Sequence, residues 1–189
     1  RPNADHHPPL PIPVIGRAAA GEVIEIPSHW EPGVVMDWRE RVQRSSDWRR
    51  RRESAAVWQD LTGLGTHCAV VVELPETFDL MGLPVDTVVV IPVNTERANV
   101  IAVEVRGDSM APLLRAGDII IVDTGAEPAA GRPALVEVAG HIGAVVKLYV
   151  PMADGVRLVS VNPEYAAVSV EKSAIQAAWP VIGCVRRGV

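Results

Sequence analysis

The sequence predicts a mainly β fold of coiled antiparallel sheets, interrupted by one helical insertion that is rich in tryptophan and arginine. From Cys68 onward, short runs of β-branched residues alternate with turn residues. No helical segments alternate with these runs, so βα units are not expected. The expected strands are residues 70–74, 85–93, 100–105, 119–122, 134–138, 142–150, 156–161 and 178–185.

The N-terminal part of the chain divides into a linker and a short extended segment. Residues 1–13 contain five prolines and no periodicity, which predicts an extended linker. The pair His6-His7 has no further metal ligand at a useful spacing, so no metal site is expected. Residues 14–27 form an extended segment around the small-residue run Gly16-Arg-Ala-Ala-Ala-Gly-Glu-Val23 and end at a proline.

The insertion, residues 28–66, holds four of the five tryptophans and the run Arg49-Arg-Arg-Arg52. Its helical part is expected from Asp37 to Leu61, ending at the glycines of Thr62-Gly-Leu-Gly65. Four tryptophans are more than a solvated linker would carry, so the insertion is expected to pack on something. Three interpretations are open: a decoration of its own domain, a surface for a partner protein, or a direct DNA contact.

Charge and composition restrict the function. The net charge is −5, although seven arginines and three acids between Arg39 and Glu53 give that stretch a local charge of +4. Any affinity for nucleic acid would therefore come from that stretch. No apolar stretch approaches the ~20 residues of a membrane span, and the N-terminus lacks the apolar core of a signal peptide. A soluble cytoplasmic protein is expected, with Cys68 and Cys184 as buried thiols.

Lysine is rare in this chain, and one lysine stands in an apolar run. Only two of the 18 basic residues are lysines, and Lys147 lies within Gly143-Ala-Val-Val-Lys-Leu-Tyr-Val150. Packing in a β-sheet would desolvate the amine and lower its pKa toward the range where it accepts a proton. The alternative is a lysine at a strand edge whose ammonium remains in water.

A serine that could pair with this lysine stands 38 positions upstream. Ser109 lies in Val105-Arg-Gly-Asp-Ser-Met110, between an expected strand and one brief helical turn. A neutral lysine beside a serine hydroxyl is a base–nucleophile pair, and the small-residue run 16–23 would fit such a site as its substrate. A serine–histidine pair with His67 or His141 is the weaker alternative, since neither histidine has an acid at a suggestive spacing.

These segments together resemble the C-terminal part of LexA-type repressors, self-cleaving regulators related to the UmuD mutagenesis proteins and to some phage repressors. The resemblance covers roughly residues 11–27 and 96–189. The matching segments are Pro13-Val-Ile-Gly-Arg-Ala-Ala-Ala-Gly21, residues 105–123, Val145-Val-Lys-Leu-Tyr149, residues 158–165 and Val181-Ile-Gly-Cys-Val-Arg186.

The resemblance implies a LexA C-terminal or signal-peptidase-like fold with a Ser109–Lys147 catalytic dyad. Lys147 would activate Ser109 to cleave the Ala20–Gly21 bond, and the backbone amides of Asp108 and Ser109 would form the oxyanion hole. It also implies a homodimer, no cofactor, and stimulation by a RecA filament on single-stranded DNA in the DNA-damage (SOS) response. Operator DNA would be bound by a helix-turn-helix domain upstream of Arg1, since no such pattern occurs in this chain.

The resulting division is a linker at 1–13, a cleavage segment at 14–27, an insertion at 28–66, and a peptidase and dimerisation domain at 67–189. The insertion departs from the family pattern, because 88 positions separate Gly21 from Ser109 and LexA-type proteins have a shorter connection. Two alternatives to a repressor are open. One is a UmuD-like polymerase accessory protein, and the other is a regulatory module that keeps the fold without cleaving itself.

Overall fold

The structure, a computed structural model, describes residues 11–18, 34–63, 65–91, 99–141 and 143–188. Strands dominate this part of the chain, which confirms the predicted mainly β fold. The elements are β1 (Ile12–Ala18), α1 (Val34–Arg44), α2 (Ser46–Arg49), β2 (Arg52–Asp60), β3 (Gly65–Leu80), β4 (Leu83–Val90), β5 (Val100–Val105), β6 (Ile119–Asp123), β7 (Arg132–Val138), β8 (Ala144–Met152), β9 (Gly155–Val159), β10 (Val168–Glu171), a 3-10 turn (Lys172–Ala174) and β11 (Ile175–Arg187).

One long strand, β11, joins two parts of the sheet. Its second half pairs with β2 on one side and β6 on the other, so the described strands β11-β2-β3-β4-β1-β5-β6 close into a ring. Its first half pairs with β7 and continues into the antiparallel arm β7-β8-β9-β10. The prediction of antiparallel pairing fails for β1 and β5, which are parallel. More than 80 residues separate these two strands, and a connection of that length permits parallel pairing.

The side chains of β5 and β6 are almost all buried because both faces of these strands are covered. On one face, Ala102, Ile119 and Ile121 belong to a cluster made only of residues from the ring strands, which is the interior of the barrel. On the other face, Val103 and Ile120 pack in a second cluster with α1 and the β7–β8 arm. This double burial explains the continuous runs of valine and isoleucine.

Helix α1 lies against the barrel through Val35, Trp38, Arg39 and Val42, which are all buried. The Nη2 atom of Arg39 donates a hydrogen bond of 2.7 Å to the carbonyl oxygen of Val100, so the helix is also bound to the start of β5. Burial lowers the pKa of Arg39 to about 10. None of the helices in the described ranges is long and apolar enough to cross a membrane.

The insertion is only partly helical. The sequence predicted a helix from Asp37 to Leu61, but α1 ends at Arg44, α2 is short, and residues 52–60 form the barrel strand β2. Trp58 gives a physical reason for the strand, because its buried ring packs over Gly183 of β11. A Cβ atom on Gly183 would lie 2.1 Å from Cη2 of Trp58. The insertion therefore packs on its own domain, as the tryptophan content predicted.

Two further expectations need correction. The linker predicted for residues 1–13 includes the start of β1, since Ile12 and Pro13 pair with Val89 and Val88 and are buried. Both cysteines are free, but Cys68 is exposed, so the prediction of a buried thiol holds only for Cys184. Residues 1–10 and 19–33 lie outside the described residues, and with them lie His6, His7 and the Ala20–Gly21 bond.

Candidate active site

Ser109 lies in a turn directly after β5, as the sequence predicted. β5 ends at Val105, and Ser109 is half-buried at the beginning of a helical turn. The turn is closed by hydrogen bonds from the amide of Ala111 to the carbonyl of Asp108 and from the amide of Leu114 to the carbonyl of Met110, both 2.9 Å long. Met110 and Leu114 are buried in the core beside the barrel, so the turn is held firmly under the serine.

Lys147 lies in β8, which has β7 on one side and β9 on the other. β8 is therefore an interior strand of the described sheet, whereas the alternative interpretation placed this lysine at a strand edge with its ammonium in water. Its side chain is half-buried, and desolvation by burial lowers the pKa of Lys147 below the ordinary lysine value. A lowered pKa increases the fraction of neutral amine at any given alkaline pH.

Ser109 and Lys147 line the same cavity, which has a volume of about 160 Å³. Its walls are residues 105–110, residues 144–147 and Tyr165. The two catalytic candidates thus meet, although the Lys147 amine donates its hydrogen bond to Ser160 and none joins it to Ser109 among the described residues. His67 and His141 are exposed and do not line this cavity, which leaves the serine–histidine alternative without support.

A six-residue segment after β9, residues 160–165, contacts both the nucleophile turn and the lysine. The Lys147 Nζ donates a 2.8 Å hydrogen bond to the Ser160 Oγ. The amide of Asn162 donates to the carbonyl of Ser109 at 3.0 Å, and its Nδ2 donates to the carbonyl of Asp108 at 3.3 Å. The segment therefore connects the strand of Lys147 with the turn of Ser109 through hydrogen bonds.

Tyr165 is an exposed residue in the wall of the cavity. Its hydroxyl donates a 2.5 Å hydrogen bond to the Asp108 Oδ1, and its ring centroid lies 5.6 Å from the Lys147 Nζ. The hydrogen bond to Asp108 raises the pKa of Tyr165. A raised folded-state pKa means that this stabilisation is complete below the unfolded pKa and is lost as the pH rises through the folded-state value. The pKa shifts of Tyr165 and Lys147 thus have opposite directions, upward for the tyrosine and downward for the lysine.

The roles of Ser160 and Tyr165 were not predicted from the sequence. One signal could have identified Ser160: Asp154-Gly155 is a hairpin turn sequence between β8 and β9. In that hairpin Leu148 pairs with Val159, so one further step of the register places Ser160 opposite Lys147. The contact of Tyr165 with Asp108 spans 57 residues and has no comparable local signal.

The backbone around Asp108 and Ser109 was predicted to hold an oxyanion. The carbonyl of Asp108 accepts hydrogen bonds from the amide of Ala111 and from the Asn162 side chain. In a planar trans peptide the N–H points opposite to the C=O, so these bonds fix the direction of the Ser109 amide as well. An amide whose direction is fixed in advance is what an oxyanion hole requires.

The cleavage segment begins beside the cavity. The last described residues of β1, Arg17 and Ala18, pair in parallel with Glu104 and Val105. Val105 is itself part of the cavity wall. The predicted site residues Asp108, Ser109 and Lys147 therefore line one cavity. Strand β1, which precedes Ala20 and Gly21 in the chain, ends beside the wall of this cavity.

A family model described as Peptidase S24-like matches residues 65–186, a range that includes both Ser109 and Lys147. A search of curated proteins finds no match.

Proposed function

We propose that this chain, which belongs to the Peptidase S24-like family, is the self-cleaving and dimerising domain of a LexA-like transcriptional repressor. We further propose that it hydrolyses its own Ala20–Gly21 bond. Family membership supports serine peptidase chemistry in general. The observation that carries the specific proposal is the cavity shared by Ser109 and the desolvated Lys147.

The proposed reaction uses Lys147 first as a base and then as an acid. The neutral amine takes the hydroxyl proton of Ser109 as the serine oxygen attacks the carbonyl carbon of Ala20. The amides of Asp108 and Ser109 stabilise the oxyanion. When the C–N bond breaks, the ammonium of Lys147 returns the proton to the nitrogen of Gly21. Water, deprotonated by the same amine, then releases Ala20 from its ester with Ser109.

The position of β1 supports cleavage within one chain. Ala18 pairs with Val105 at the cavity wall, and the bond to be cut follows two residues later. Two fully extended residues span about 7 Å, which is the greatest distance by which the chain can carry Ala20 away from Ala18. A tethered substrate has a high effective concentration, and control must therefore come from the docking equilibrium.

The proposed biological role is that of a switch in the cytoplasm. Dimers of this domain would hold two DNA-binding domains on paired operator half-sites. Cleavage at Ala20–Gly21 would separate the DNA-binding domains from the dimerised peptidase domains and end repression. A RecA filament on single-stranded DNA would favour the docked segment during the SOS response. The resemblance to LexA-type repressors supports this role, whereas the family match supports only the peptidase domain.

Self-cleavage of the purified chain is expected to increase with pH. Lys147 must be neutral to act as the base, and its lowered pKa places this change below the ordinary lysine range. After overnight incubation at about pH 10, intact-mass spectrometry should show two fragments, one that ends at Ala20 and one that begins at Gly21. The rate should level off once Lys147 is fully neutral. A chain that remains whole would be a non-cleaving module of the same fold.

The arginine run is expected to contribute little to cleavage. Arg51 stacks on Trp48 at 4.5 Å and forms an ion pair with Glu53, and Arg50 pairs with Asp47. Replacing all four residues of Arg49–Arg52 with glutamine should leave alkaline self-cleavage nearly unchanged, because exposed charges contribute little to folding. Cleavage stimulated by a RecA filament should also change little. A steep loss of stimulated cleavage alone would instead identify the run as the docking surface for the filament.

A further inference from the structure

Strand β1 lies between β4 and β5 in the barrel, and the bond proposed to be cut follows shortly after its last residue. On one side Ile12 pairs with Val89 of β4, and on the other side Ala18 pairs with Val105 of β5. Cleavage at Ala20–Gly21 would therefore leave all of β1 on the N-terminal piece and both of its neighbouring strands on the C-terminal piece.

β1 is buried on both of its faces. Ile12 is 0% exposed and packs in the interior of the barrel. Ile15 is 5% exposed and packs in the cluster that joins the barrel to α1 and the β7–β8 arm. None of residues 11–16 is exposed. Departure of β1 would open both apolar clusters to water and leave the facing edges of β4 and β5 without their present hydrogen-bonding partner.

We propose that the space between β4 and β5, here called the strand slot, is a peptide-binding site after cleavage and that it retains residues 11–18 of the N-terminal piece. The inference rests on the proposed self-cleavage. It divides the proposed separation of the domains into two steps, which are hydrolysis of one peptide bond and the later release of β1.

Hydrolysis removes none of the described contacts that hold β1. The bond to be cut lies two residues beyond Ala18, outside the pairing of β1 with β4 and β5. What hydrolysis removes is the covalent tether, so a strand that has left returns at a rate that depends on the concentration of the pieces. The lifetime of β1 in the strand slot, together with the rate of hydrolysis, would then determine when the DNA-binding domains leave.

The strand slot would bind its peptide by β-augmentation. In this mode main-chain hydrogen bonds supply affinity, and apolar sites for the side chains supply selectivity. Ile12 and Ile15 are three positions apart, so they point to opposite faces of the strand, and each enters a different apolar cluster. The slot therefore fits an extended peptide with an apolar residue on each face.

The test follows the two pieces after self-cleavage at about pH 10. The cut chain is returned to neutral pH and examined by size-exclusion chromatography and native mass spectrometry. We expect residues 1–20 and residues 21–189 to elute together and to give one native mass that contains both pieces. Concentrated urea should separate them, because it weakens the burial of apolar groups and solvates the peptide groups.

An exchange experiment shows whether β1 is responsible for the retention. An isotope-labelled piece with the sequence of residues 1–20 is added in excess, and native mass spectrometry gives the rate at which it replaces the bound piece. Ile12→Ala and Ile15→Ala in the chain should each raise this rate about tenfold or more, because each truncates a buried side chain. Ile15→Val should raise it less. Val168→Ala, a similar truncation at a residue of β10 that is 53% exposed, is the matched control and should leave the rate unchanged.

Pieces that separate fully at neutral pH, before urea is added, would overturn the proposal. Equal exchange rates in Ile12→Ala, Ile15→Ala and the unchanged chain would also overturn it, because the retention would then depend on other contacts. A chain that is not cut contradicts the proposed self-cleavage instead. In that case residues 1–20 and 21–189, produced together as separate chains, test the strand slot alone. A complex of the two pieces supports the slot, and the absence of a complex overturns it.

Discussion

Self-cleavage should be lost when Ser109 or Lys147 is replaced by alanine, while the fold remains intact. Without the Ser109 hydroxyl no ester can form, and without Lys147 the cavity has lost the amine proposed to take the hydroxyl proton. In a well-studied serine peptidase, removal of the nucleophile or of its base lowers the rate by a factor on the order of 10⁶. The measurement is the appearance of fragments by intact-mass spectrometry at alkaline pH, with thermal unfolding as the check on folding.

Two control variants make this result specific. Lys147→Arg should be as inactive as Lys147→Ala, because a guanidinium does not lose its proton at these pH values. Lys172→Ala should cleave normally, since Lys172 is the chain's other lysine and lies exposed in the 3-10 turn before β11. Cleavage of the same bond by Lys147→Ala at nearly the normal rate would show that another group is the base.

Ala20→Asp and Gly21→Asp should each block self-cleavage almost completely. The cavity holds about 160 Å³ and is walled partly by apolar residues such as Val105 and Val146, so it offers an additional carboxylate little compensation for lost water. Intact-mass spectrometry at alkaline pH again gives the rate. The expected result is an uncut chain whose thermal unfolding is unchanged.

The aspartate variants still contain Ser109 and Lys147, and this provides their control. The Gly21→Asp chain should slowly cut an added peptide that spans residues 15–26 of the natural sequence. Slow cutting in trans would show that the catalytic pair is intact and that only the substrate segment was damaged. If both aspartate variants are cut at the normal rate, the bond that breaks lies elsewhere in the chain.

Strands that are buried on both faces could be predicted from the sequence, because burial of both faces requires apolar residues at successive positions. Strand β6 is buried at every position, and its first four residues, 119–122, are a continuous apolar run that hardly fits another structure. Strand β2 was not predictable, because its first residues continue an arginine-rich helical pattern. Its identity depends on pairing with β3 and β11 and on the space over Gly183 that accepts the Trp58 ring.

Ser109 and Lys147 could be proposed from the sequence as a catalytic pair because their residue types are unusual in their surroundings. A desolvated lysine in a chain with only two lysines is conspicuous, and Ser109 stands between a strand and a turn. Ser160 and Tyr165 are not conspicuous in this way. The contact of Ser160 with Lys147 spans 13 residues and follows only from the register of the β8–β9 hairpin. The contact of Tyr165 with Asp108 spans 57 residues and forms when the connection after β9 folds back onto the Ser109 turn, so it leaves no local pattern.

The pairing of Ser109 with Lys147 is tested most directly by the reaction of Ser109 with a small phosphonofluoridate. The Gly21→Asp background prevents the cleavage segment from competing as a substrate. We expect a single adduct, located at Ser109 by peptide mapping, with a rate that rises through a midpoint below the ordinary lysine range. This pH-dependent reaction should disappear in Lys147→Arg and persist in Lys172→Arg. An adduct at another serine, or an equal rate in Lys147→Arg, would contradict the pairing.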